Sequence, residues 1–402
     1  MKFLNFLDHF VLWSSLGVGL LVIQAGAFLI PGLNIYQAVL VIISGSLLGS
    51  FLLALAGYVG AWKGLPTMVL TRPIFGKKGS YLPSILNVIQ LIGWAAFELW
   101  IIALSASKIS QILIGFSGYG LWLIFFTVVS ALLSYGGPLI VVRKWLKKIG
   151  IWLVYGAAIY LSFTLFRNFQ ISNVVSKSAS SMSIWLGLDL VIAMPISWLP
   201  LVADYNRFAK KKSPSFWGTF LGYTFANSWF YLLGVMMVLV LKLDVSSPEN
   251  LISAIMSLTG GLVALVVILV DETDNAFANI YSSAVSLQNI FPLLNRKLSV
   301  ILFALVSFGL ALGLKMADFF NFLLLIGSVF VPLFGVFICH YFMLYKHEKE
   351  KDFNFAGLIA WISGIVIYWK IPEIFPDLGG SIPAFLWAFT IYFLFKLTKK
   401  SS

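Results

Sequence analysis

The feature that most restricts this chain is the recurrence of long apolar runs. Stretches of about 17 to 25 residues with almost no charge follow one another from end to end, each closed by a short polar or basic segment. A hydrocarbon core roughly 30 Å thick is crossed by about 20 residues of helix, so each run is long enough to span a membrane. Of the 402 residues, 60% are hydrophobic and only 10% charged, too few polar groups to cover a soluble domain. The runs are continuous rather than alternating, which argues against a transmembrane β-barrel. Twelve spans are expected, at 10–33, 35–61, 82–107, 119–142, 149–166, 184–206, 216–241, 256–290, 298–314, 318–345, 355–371 and 381–397. No linker rich in Pro, Gly or Ser separates them, so residues 1–402 read as one all-α polytopic membrane domain.

Basic residues set the expected orientation, because Lys and Arg in short loops stay on the cytoplasmic side. With both termini inside, that side receives 21 of the 27 basic residues: Lys2, Lys63, Arg72, Lys77, Lys78, Arg143, Lys144, Lys147, Lys148, Arg207, Lys210, Lys211, Lys212, Arg296, Lys297, Lys346, Lys349, Lys351, Lys396, Lys399 and Lys400. Lys108, Arg167, Lys177, Lys242, Lys315 and Lys370 fall outside. Only an even number of spans keeps this alternation, and it accounts for the net charge of +12 without nucleic acid. The cytoplasmic membrane is the expected location. The single cysteine, Cys339, excludes a disulfide framework and a cysteine metal site. The opening MKFLNFLDHFVLW carries Asp8 and no small-residue cleavage site, so no cleaved leader is expected.

Two spans are unusual as membrane helices. The first, WSSLGVGLLVIQAGAFLIPG, contains Gly17, Gly19, Gln24 and Gly26; the sixth, LGLDLVIAMPISWLPLVADYNRF, contains Pro195 and Pro200. Gly weakens a helix and Pro removes an amide donor, so both are expected where a membrane helix is interrupted. Interrupted helices at matching positions of two halves point to a transporter built from inverted repeats, its site near the membrane midplane.

Carboxylates are costly in hydrocarbon, and those placed there need a cavity, a cation or a partner. They are Glu98, Asp189 near an outer end, Asp204 near an inner end, and Asp271, Glu272 and Asp274 in LVDETDNAFANIYSS. Asp204 lies three positions before Arg207 and reads as a helix-end residue; Asp189 reads as interfacial. In the eighth span Glu272, Asn275, Asn279 and Ser282 share one helical face, flanked by Thr273 and Asp271. Carboxylate, hydroxyl and amide oxygens suit a hard cation such as sodium, and a proton relay is the alternative. In the third span Gln90, Trp94 and Glu98 form a stripe at i, i+4 spacing. A ring beside a hydrogen-bonding acid is a platform for a flat heteroaromatic ligand bearing amino groups.

Residues 64–98, GLPTMVLTRPIFGKKGSYLPSILNVIQLIGWAAFE, resemble the nucleobase:cation symporter-1 family through its R-x-x-F-G-x-x-G signature and following G-W pair: Arg72, Phe75, Gly76, Gly79, Gly93 and Trp94. ADYNRFAK, with Asp204 and Arg207, is similar to that family's D-[YF]-x-R-[FY] element, and the overall pattern resembles its hydroxymethylpyrimidine transporters, the CytX group. The resemblance implies a LeuT-type fold, with spans 1 to 5 (1–166) and 6 to 10 (184–345) as inverted repeats and two additional helices (355–397). It implies that Trp94 stacks on the base and that the residue one turn later, here Glu98 where relatives more often carry an amide, bonds its edge. Trp198 is the candidate for the second face, and Gln24, Asn275 and Asn279 for the polar edge. The family binds sodium between eighth-helix hydroxyls and first-helix carbonyls; here Thr273 supplies one hydroxyl, Glu272 stands where a second is expected, and Asp271 adjoins them.

The expected function is cation-coupled import, by alternating access, of a pyrimidine-type substrate such as hydroxymethylpyrimidine, a thiamine precursor, or a cytosine-like base. The coupling ion is sodium or a proton, no other cofactor is expected, and the partners are the substrate and membrane lipid. An amino-acid symporter of the same fold is the competing reading. An enzyme or channel is disfavoured, because His9, His340 and His347 lie near span ends without ligand spacing and no pore-lining motif repeats.

Overall fold

A computed structural model describes residues 3–30, 32–137, 149–169, 182–244, 247–345, 351–375 and 377–398. Of the basic residues that set the expected orientation, Lys2, Arg143, Lys144, Lys147, Lys148, Lys177, Lys346, Lys349, Lys399 and Lys400 lie outside them, as does His347. Within the described residues the chain is helical, with one isolated parallel bridge between Leu4 and Ala209.

Each expected span falls on helix. The first is two half-helices, Phe6–Ser15 and Leu20–Ala27, bent by 61°. The second is Ile35–Lys63, the third Tyr81–Ile114, the fourth Tyr119–Gly136 and the fifth Ile151–Arg167. The sixth runs over Ile184–Trp198, a 3-10 turn Leu199–Leu201 and Val202–Asn206; the seventh is Lys212–Leu241. The eighth is Gly261–Leu287, the ninth Arg296–Ala311 and the tenth Met316–Ile338 with a π turn Cys339–Met343; the last two are Phe355–Ile374 and Ser381–Thr398. Eight helices among the described residues are long and apolar enough to cross a membrane, nine with the bent pair counted as one span. Of the other three, Ile151–Arg167 and Arg296–Ala311 are short, and Gly261–Leu287 holds three buried carboxylates.

The eighth span differs from the expected 256–290. A separate helix, Pro248–Ser257, precedes it, and the chain turns at Gly260, where φ is +70°, before the span begins. The glycine makes that left-handed turn free of Cβ strain.

The spans sort into groups by packing. The first, second, sixth and seventh pack together, and the third packs with the eighth, fourth and ninth; between these groups contacts are sparse. Tenth, eleventh and twelfth pack on one another, and the tenth also lies against the sixth. Close approach in the first group depends on glycine: a Cβ on Gly26 would sit 2.1 Å from the Tyr231 carbonyl oxygen, and one on Gly234 1.9 Å from that of Ile23. Lipid gives apolar helices little reason to associate, so backbone-close packing of this kind holds them.

Candidate functional site

The two broken spans and the helices that face them bring the candidate residues together. In the first, Gly19 adopts φ 146° and ψ 168°, ending one half-helix and starting the next with no side-chain cap. The amide groups of the new half-helix therefore point outward unpaired, with the positive end of its dipole. The Glu272 carboxylate fills that place: Leu20 N–H donates to Glu272 Oε2 at 3.2 Å. Glycine suits this position because side chains rarely adopt a φ of 146°, and with Glu272 as placed a Cβ on residue 19 would lie 2.4 Å from the same oxygen. Two further struts join the eighth span to the break. Ser15 Oγ donates to Asp271 Oδ1 at 2.8 Å, and Asn275 Nδ2 donates to the Val18 carbonyl at 3.2 Å.

The third span faces this arrangement. Glu98, 4% exposed, lies within hydrogen-bonding reach of Glu272, 1% exposed. Among the described residues Glu98 Oε2, Glu272 Oε1 and Asp271 Oδ2 have no hydrogen-bond partner, although all are buried. The groups that contact these carboxyls are a hydroxyl, a backbone amide and each other, none positively charged. One turn before Glu98, the buried Trp94 has its indole Nε1 without a partner among the described residues. Its ring stands edge-on to Phe319 and Phe322 of the tenth span, centroids 5.8 and 5.5 Å away.

In the sixth span the break is held by amides of the third. Gln90 Nε2 donates to the Ser197 carbonyl at 3.1 Å and Asn87 Nδ2 to that of Pro200 at 3.2 Å. Asn87 Nδ2 also bonds Ser286 Oγ of the eighth span at 2.8 Å, so one side chain ties three spans. Gln90, read from sequence only as part of the Trp94 stripe, is thus a prop for the break.

Over residues 4–369 the chain matches the family described as permease for cytosine/purines, uracil, thiamine, allantoin. The chain belongs to this permease family. It is 27% identical to the cytosine permease of Escherichia coli strain K12 over 370 residues, 89% of this chain and 84% of the relative. It is 23% identical to the hydantoin permease of Microbacterium maritypicum over 386 residues, 89% and 76% of the two chains. Among solved structures it resembles Mhp1, described as a nucleobase-cation-symport-1 family transporter in a closed conformation with bromovinylhydantoin bound. That likeness has a TM-score of 0.84 at 18% identity and covers 100% of this chain and 94% of the other. The permease therefore has the LeuT-type fold, and it is a transporter rather than an enzyme.

The remaining candidates fall at several places in the permease. Gln24 is buried in the half-helix after the break. Trp198 ends the helical part of the sixth span, its ring edge-on to Trp13 with centroids 6.3 Å apart; no ring contact joins it to Trp94. Asn279 is buried with Nδ2 unpartnered among the described residues, whereas the Thr273 hydroxyl folds back onto the Val270 carbonyl at 2.6 Å. Asp274 is buried on the same helix with Oδ2 unpartnered among the described residues. His9 and His340 lie near span ends, His340 Nδ1 2.9 Å from the Tyr392 hydroxyl. Among the described residues no three His, Cys, Asp or Glu side chains are grouped to hold a metal ion.

The signature motifs do structural work away from the platform. Arg72 donates through Nε to Asn289 Oδ1 at 2.7 Å, pinning the loop after the second span to the end of the eighth. Gly76, with φ 88°, lets the loop lie against the Asp352–Phe353 backbone, and Phe75 packs on Trp361 of the eleventh span at 5.3 Å. Asp204 accepts from the Thr67 amide at 3.0 Å, capping the short helix Thr67–Leu70. Asp189 accepts from Gly380 and Ser381 amides at 2.6 and 3.1 Å, capping the twelfth span. It is thus a helix cap near the start of both the sixth and the twelfth spans. Ser15, Asn87 and the backbone of Leu20 were not legible as site groups in sequence; the pair Ser14-Ser15 just ahead of Gly17 and Gly19 was the one available signal.

Proposed function

We propose that this permease imports a pyrimidine-type base together with a cation by alternating access, with hydroxymethylpyrimidine as the leading substrate, as in the CytX group, and cytosine as the next. One observation carries the reading: a buried indole N–H and a buried carboxyl oxygen, Trp94 Nε1 and Glu98 Oε2, stand one helical turn apart at the seam between the helix groups, with no partner among the described residues. Buried polar groups are otherwise nearly always satisfied, so a ligand bearing acceptor and amino groups fits this pair. The base stacks on Trp94, Glu98 accepts from its exocyclic amine, and Gln24, Asn275, Asn279 and Trp198 are the further contacts. The relatives' names, cytosine permease and hydantoin permease, support a flat nitrogen heterocycle.

The cation is a co-substrate. Uncompensated buried carboxylates are strongly unfavourable, and a sodium ion or a proton among Asp271, Glu272 and Thr273 relieves that cost. A cation there joins the first span to the eighth and favours the substrate-binding state over the others. We further propose that residues 1–166 and 184–345 are the inverted repeats, 355–397 the additional helices, and that both termini face the cytoplasm.

The test is uptake of radiolabelled hydroxymethylpyrimidine into proteoliposomes, with sodium and proton gradients imposed separately and unlabelled cytosine and neutral amino acids as competitors. Saturable uptake driven by one gradient and competed by cytosine is expected. Competition by amino acids alone replaces the substrate, and uptake indifferent to both gradients removes the coupling.

A further inference from the structure

A cavity lined by none of the candidate site residues lies at the end of the molecule that carries the Lys210–Lys212 run. It has a volume of about 440 Å³ and opens between the second, seventh and tenth spans. Its walls are Leu55, Tyr58, Trp62, Phe216, Trp217, Tyr341 and Phe342, and its polar end is Lys212 and Ser213. Trp62, Trp217 and Phe342 are 37, 49 and 42% exposed, so the cavity is flanked by aromatic rings turned to the surrounding lipid. Aromatic side chains at this height, beside lysines, mark the level of the lipid headgroups.

The rim is built rather than incidental. Lys63 has its ammonium 3.8 Å from the ring centroids of both Trp62 and Tyr345 and donates to the Tyr345 hydroxyl. The tenth span leaves α-helical geometry at Cys339–Met343, a π turn that includes the two wall residues Tyr341 and Phe342. Such turns are rare and concentrate at functional sites. Lys212 is the first residue of the seventh span, and its ammonium lies 5.4 and 5.7 Å from the Tyr58 and Trp62 rings, the loose end of cation–π range. Among the described residues no side chain caps that helix end, and no carboxylate lines the cavity.

We infer that this cavity binds an anionic phospholipid, its phosphate on the Lys212 ammonium and Ser213 hydroxyl and the start of an acyl chain along Leu55 and Phe216. Charge complementarity selects the occupant: three exposed lysines in a row face a surface that attracts anionic headgroups, while the apolar walls give a free phosphate ion nothing to contact. A bound lipid there would hold the second and seventh spans, which belong to one helix group, against the tenth. The inference does not depend on the transported substrate.

The experiment uses the full-length permease, delipidated in detergent, with thermal stability followed during titration with phosphatidylglycerol, phosphatidylcholine or inorganic phosphate. Phosphatidylglycerol is expected to raise the unfolding midpoint saturably, and the other two are not. K212Q should keep the lipid-free midpoint, since the side chain is exposed, yet raise the half-saturating phosphatidylglycerol concentration about five-fold. K297Q, which alters another exposed lysine resting on an aromatic ring, Tyr135 at 4.3 Å, should leave it unchanged. Equal response to phosphatidylcholine or phosphate, an unaltered K212Q, or equal weakening by K297Q would each overturn the site.

Discussion

Glu98 sits where two demands meet, since one carboxyl both faces Glu272 and leaves an oxygen without a partner among the described residues, one helical turn after Trp94. An amide at this position keeps the volume and the hydrogen-bonding edge but presents an N–H where a base amine needs an acceptor. Glu98→Gln is therefore expected to raise KM for amino-substituted pyrimidines about ten-fold or more, the worth of one charge-assisted hydrogen bond, with the thermal midpoint nearly unchanged. Initial-rate uptake over a range of substrate concentrations checks it, and an unaltered KM removes Glu98 from the substrate. This residue was legible in the sequence because a lone charge in an apolar run has few explanations. Ser15 was not, because nothing local says that its hydroxyl meets Asp271 from a distant span. Glu272 was visible as an acid but not as the partner of the Leu20 amide, since that contact exists only once Gly19 has opened the helix.

At the level of elements, each interruption has its own supports. The first-span break is held by Asp271, Glu272 and Asn275 from the eighth span, the sixth-span break by Asn87 and Gln90 from the third. Replacing Asn87 by Leu would leave the Pro200 carbonyl and the Ser286 hydroxyl without this donor at a fully buried position. The cost is about 1–3 kcal/mol, and a lowered unfolding midpoint in detergent, with KM for substrate held, is the expected outcome. An unchanged midpoint would mean that the break supports itself. Pro200, Gly17 and Gly19 revealed in sequence where helices stop, because those residues act on their own backbone; Pro195 did not, since the helix Ile184–Trp198 continues through it. What holds the stopped ends lies on other spans, and a side chain such as Asn87 carries no mark of its partner. The start of the eighth span was misjudged for a related reason: Pro248–Ser257 continues the apolar pattern, and only the turn at Gly260 separates it from the span.

The whole molecule divides along the seam that holds Glu98 and Glu272. One group of helices carries both breaks, the other carries Trp94, and few contacts cross between them. Rigid-body rocking about such a seam exposes a central site to either side without rebuilding it. With Cys339 replaced, spin labels at the exposed positions Leu48 and Leu221, within one group, should hold a fixed distance when substrate is added, whereas Leu48 and Leu305, across the seam, should shift by several ångströms. Equal movement of both pairs would place the hinge elsewhere. Glu98 and Glu272 stood out because buried charge is a strong local signal, and fold class and the helical stretches were legible because hydrophobic length is another. The grouping of helices was not, since apolar faces in lipid say little about which neighbour they meet. Gly19 and Glu272 carry one last implication. The carboxylate occupies the space that a side chain at residue 19 would fill, but the φ of 146° bars a side chain there whatever stands opposite. Across descendants of this gene residue 19 should therefore stay glycine even in lineages where residue 272 changes.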